Sequence, residues 1–155
     1  QMLARLERDV LSKNPNWMTL SCGVNDVWHG KRGVNLADYK TNITKIVERC
    51  QEAGVKVVLL TSTMIGEDKN NANNKKLATY NDFLKELAKE KKCLLADLNA
   101  RMQSIIEASS DKKNGKLLTS DGVHMNPDGN KMMATGVLEA LGLNAEQIKA
   151  AQAAW

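Results

Sequence analysis

The sequence predicts an α/β fold, a three-layer α/β/α sandwich built on a parallel sheet. Short apolar runs rich in β-branched residues alternate with longer amphipathic segments. One run, "VKVVLLTS" (55–62), is apolar almost throughout, as a strand buried on both faces must be. The chain has 155 residues, the length of one domain, and its 43% of apolar residues suffices for a core.

The elements follow in order. Gln1 to Ser12 reads as helix, with Leu3, Leu6, Val10 and Leu11 at helical spacing and Arg and Glu between them. Asn14-Pro15-Asn16 stops it. Trp17 to Cys22 is a short apolar run before Gly23, a strand. Ala37 to Ala53 is a helix with the stripe Ile43, Ile46, Val47 and Cys50, closed by Gly54. The strand at 55–62 follows, then a polar loop and a helix from about Lys75 to Lys92. "CLLADL" (93–98) is a third strand, and Asn99 to Ala108 a helix. Pro127 suits the first turn of a helix reaching Leu141. A last amphipathic helix covers Ala145 to Trp155.

In such a sheet the strand C-termini lie along one edge, where ligands bind. Neither G-x-G-x-x-G nor a Walker sequence follows any strand, so a nucleotide site has no support. Three strands are few, since sheets average about five or six. The chain also opens inside a helix, which predicts that its first strand or strands are absent. Residues 1–155 are therefore expected to form a single, N-terminally incomplete domain.

The net charge is +4, and Lys and Arg are spread over helix faces and the loops "KNNANNKK" (69–76) and "DKKNGK" (111–116). With no basic stripe interleaved with aromatics, nucleic acid is not the expected partner. Cys22, Cys50 and Cys93 show no CxxC spacing and read as small buried hydrophobes. No run of 18 apolar residues marks a membrane span. No metal or cofactor is implied.

Two short motifs carry the chemistry. "SCGVNDVWHG" (21–30) leaves the first strand through Gly23 and places Asn25 at the ligand-binding edge, where its amide can donate into a cleft. Taken alone, Asn25 also fits an Asx-turn. "SDGVHMNPDGNKMMA" (120–134) sets Asp121 three residues before His124, close enough for the carboxylate to hold the imidazole in one tautomer. Taken alone, Asp121 also fits a turn cap. The two motifs together offer a donor for an oxyanion and an oriented base on one edge of the sheet. Trp28 and Met64 open on that edge as substrate-binding candidates, although both also suit core gaps beneath the loops. His29 reads as a surface residue.

On these residues the chain resembles the SGNH hydrolases, the GDSL esterase and lipase family, whose sheet is flavodoxin-like. "GVND" resembles the block whose Asn is an oxyanion-hole donor, and "DGVHMNPDG" the block that completes the triad. "YKTNITKIVERCQEAGVKVVLLTSTM" resembles the helix and strand between them, so the likeness covers about Leu3 to Leu143. The family's Gly-Asp-Ser block, which carries the nucleophile, and its block with an oxyanion-hole glycine do not occur here. Ser21, Ser62 and Ser120 stand in for the serine by position only.

The resemblance implies a carboxylic ester hydrolase using triad chemistry, with Asp121 and His124 catalytic and Asn25 in the oxyanion hole. The nucleophilic serine is expected upstream, and the chain alone is expected to be inactive. Removal of acetyl or other short acyl groups from a carbohydrate or other small ester is implied by the style of the "GVNDVWHG" loop. The alternatives are a non-catalytic carbohydrate-binding module or one piece of a complemented assembly. With no Lys, Pro or inward charge in "WMTLSC", the first strand is an unprotected edge, and self-association through it is expected.

Overall fold

The apolar run at 55–62 forms the centre of the sheet. In the computed structural model, which describes residues 1–110 and 115–154, strand β2 is Lys56–Leu60, with all but its first residue buried. It pairs in parallel with β1, Trp17–Ser21, and with β3, Leu94–Ala96, in the order β1-β2-β3. Trp17 lies opposite Lys56 and Ser21 opposite Leu60, while Val58 lies opposite Leu94. The three strands therefore end at the same edge.

Period-two alternation divides the core between the two faces. Val57 and Leu59 face helices α1 (Met2–Asp9), α3 (Leu36–Glu52) and α4 (Ala72–Glu90), joining Leu6, Ile46, Leu77 and Leu84. Val58 and Leu60 face the other way, onto Leu98 of α5 (Leu98–Ala108) and onto Met133 and Val137 of α6 (Pro127–Ala140). The fold is a parallel sheet between helical layers, as expected. Helix α7 (Ala145–Gln152) packs on α6.

The boundaries differ where side chains cap helices. The third strand stops at Ala96 because Asp97 turns the chain into α5, its carboxylate accepting from the Ala100 N–H. Helix α4 starts at Ala72 because Asn71 caps it through the Asn74 N–H. The first helix ends at Asp9, and Leu11–Lys13 form a separate 3₁₀ turn closed by left-handed Asn14. The sequence reading also missed α2, Val24–Trp28, which at five residues is too short to show a period. Trp155 and residues 111–114 of the charged loop lie outside the described residues.

Among the described residues β1 pairs only with β2, so its other side is an edge. Trp17 on that strand is 44% exposed, with Lys56 Nζ 5.0 Å above its ring. No helix among the described residues is long and apolar enough to cross a membrane.

Candidate active site

Three loops meet at the C-terminal edge of the sheet: the turn from β1 into α2, residues 61–71 after β2, and residues 117–126 before α6. Gly23 begins the first. Its φ of 125° is a conformation other residues rarely adopt, and a Cβ there would lie 2.5 Å from Ser62 Oγ. Two donors grip the carbonyl just before it: Ser62 Oγ at 2.7 Å and Tyr39 OH at 3.0 Å both bond Cys22 O. This anchoring fixes the first turn of α2 and exposes Asn25.

Asn25 lines a cleft of about 630 Å³, together with Ser21, Gly23, His29, Ser62 and Met133. Burial pushes the Cys22 thiol, also on this cleft, up to about 11, against a lowering by its bond to Tyr39. Burial likewise raises the Tyr39 phenol. Both groups stay neutral at ordinary pH and act here as packing and hydrogen-bonding groups.

In the third loop Asp121 Oδ2 stands 2.7 Å from His124 Nδ1. Asp121 Oδ1 accepts the backbone N–H groups of Val123, at 2.9 Å, and His124, at 2.8 Å. The bond to the His124 ring, followed by these two N–H donors, holds the Asp121 carboxyl far below the usual carboxylate range. A charged Asp121 sets His124 with its proton on Nδ1, leaving Nε2 as the basic atom. The His124 side chain is 71% exposed.

Trp28 links the two motifs. It lies on α2 with Asn25, is 44% exposed, and meets the His124 ring edge-on with centroids 6.3 Å apart. His29 stacks on Trp28 at 5.4 Å. Met64, by contrast, is 1% exposed and packs with Met102, Leu118 and Met132 beneath the third loop, the core-filling alternative open to it from sequence. Among the candidate serines, Ser62 is buried with its hydroxyl on Cys22 O. The Ser120 hydroxyl donates to the backbone carbonyl of His124, not to its ring. Ser21 is exposed at the end of β1.

The sequence reading missed the polar frame behind these loops. Asn81 accepts from Ser62 N and donates to Ser62 O, while Thr61 Oγ1 donates to Asp97 and accepts from Asn99 N. A visible signal existed, because Asn74 and Asn81 lie on the apolar face of an otherwise regular helix. A buried amide there must have partners. Among the described residues no group of three His, Cys, Asp or Glu is placed to hold a metal ion.

The family model of the GDSL-like lipase/acylhydrolase family matches residues 1–132. The chain belongs to this family. A solved acetyl xylan esterase, AlAXEase, is 31% identical and superposes with a TM-score of 0.84, over 90% of this chain and 74% of that one. LAE5, an alpha/beta hydrolase enzyme from the metagenome of Lake Arreo, is 25% identical with a TM-score of 0.82, over 93% of this chain and 68% of that one. Among curated proteins, an acetylxylan esterase of Geobacillus stearothermophilus is 23% identical over 146 residues. That alignment takes in 90% of this chain and 65% of the relative's length.

Proposed function

We propose that the chain supplies the base, its orienting carboxylate and one oxyanion donor of a serine esterase that removes acetyl or similar short acyl groups from carbohydrate. The observation that carries this is the 2.7 Å contact between Asp121 Oδ2 and His124 Nδ1, on the same edge of the sheet as Asn25. The acetyl xylan esterases among the relatives support the substrate class.

In this reading a serine hydroxyl attacks the ester carbonyl while His124 Nε2 takes its proton. The Asn25 amide donates to the oxyanion of the tetrahedral intermediate. The intermediate collapses, His124 returns the proton to the departing sugar hydroxyl, and water repeats the sequence on the acyl-enzyme. Trp28, 44% exposed beside His124, offers ring surface against which a sugar can pack. Ser62 bonds to Cys22 O and Ser120 to the backbone carbonyl of His124, and in this reading the attacking serine is that of a Gly-Asp-Ser block, a motif these 155 residues do not contain. The chain alone is then inactive.

The test compares the chain alone with a form carrying a Gly-Asp-Ser strand, using an acetylated xylo-oligosaccharide. The extended form should release acetate and the chain alone should not. His124→Ala should then remove several orders of magnitude of rate. Asn25→Ala should lower kcat on the order of 10²–10³-fold, with KM little changed. Tight binding of the oligosaccharide without acetate release by either form would favour a carbohydrate-binding role instead.

A further inference from the structure

Glu67 lies on the loop after β2, and its carboxylate accepts four hydrogen bonds from one stretch of the third loop. Oε2 takes the Leu117 N–H at 2.7 Å. Oε1 takes the Leu118 N–H at 2.8 Å, the Thr119 N–H at 2.9 Å and the Thr119 hydroxyl at 2.9 Å. All four partners are donors, and charge-assisted bonds of this kind are the strong ones. A second contact lies beside it: Gly66 N donates to Gly122 O at 2.5 Å.

The anchor is itself held. The Asn74 side chain, at the start of α4, accepts from Ile65 N and donates to the carbonyls of Ile65, Gly66 and Asp68. Beyond the clamp, Thr119 bridges Met125, and Asn126 N donates to Leu118 O. Residues 120–124, which hold Asp121 and His124, are thus a closed loop whose base is bonded to Glu67. The His124 side chain is exposed, and apart from its edge-on contact with Trp28 its orientation rests on this loop.

We infer that Glu67 is a positioning residue for His124, fixing the base of the loop so that Asp121 meets His124 Nδ1. This rests on reading His124 as the base, but its test does not need catalysis. Long-range proton–nitrogen NMR of this chain reports the tautomer of His124, and amide exchange reports the loop. The native chain should hold its proton on Nδ1. In Glu67→Ala the tautomers should mix. Exchange at Val123 and His124, whose N–H groups bond Asp121, should rise on the order of tenfold or more, along with that at Leu118 and Thr119. Glu67→Gln keeps one acceptor oxygen and should fall between the two.

If exchange rises only at Leu117 to Thr119 while the His124 tautomer stays native, Glu67 is a local staple and the inference fails. Should Glu67→Ala not fold, Glu67→Gln and Thr119→Val each remove part of the clamp, and a native tautomer in both overturns it equally. A shifted tautomer combined with unchanged kcat in an esterase-competent form would leave the role of Glu67 standing and sink the reading of His124 as base.

Discussion

Ser62 Oγ donates to the carbonyl of Cys22 at 2.7 Å, tying the end of β2 to the turn that presents Asn25. Ser62 therefore braces this turn, and in the proposed reading it is not the nucleophile. Ser62→Ala should cost about 1 kcal/mol of stability, the usual net worth of one such bond, with Tyr39 OH still on the same carbonyl. Chemical denaturation checks this. A fluorophosphonate should leave Ser62 unlabelled, and stoichiometric labelling of it would contradict the assignment.

The Asp121 carboxyl, held down by His124 and by two backbone N–H groups, should titrate well below the usual carboxylate range. Its folded value lies below the unfolded one of about 3.9. The stabilisation it contributes is therefore present above that pH and is lost as pH falls through the lowered folded value. Carbon NMR of the Asp121 carboxyl follows this directly. A midpoint at or above 3.9 would mean that the bond to His124 does not persist in solution.

The Cys22 thiol, raised to about 11, should react slowly with iodoacetamide at pH 8, and the rate should climb steeply only as pH approaches 11. Its folded value is above the unfolded one, so its stabilising contribution is complete below about pH 8.5 and is lost as pH rises toward 11. Rate measurements on a variant with Cys50 and Cys93 replaced by Ala isolate it. Fast alkylation at neutral pH would show that the turn around Gly23 opens readily.

The outer side of β1 should recruit another strand, because among the described residues only β2 pairs with it. The chain alone should self-associate with rising concentration, as read by sedimentation velocity. A Lys placed at Thr19 should weaken that association. A dispersed monomer at high concentration would show that the edge is covered in solution.

The layer order was legible in the sequence because it rests on local regularities. The unbroken apolar run of β2 marks a central strand, and the stripe Ile43, Ile46, Val47, Cys50 marks the buried face of α3. The Asp121–His124 pairing was legible for the same reason, since a separation of three residues puts the two side chains within reach of each other. Only the tertiary structure decided that Met64 lies in the core, that Trp28 meets His124, and that Ser62 and Glu67 brace the loops. Those contacts join residues far apart in the chain. Their partners are backbone groups, rings and other side chains whose positions depend on how helices and loops pack, and no local spacing encodes that.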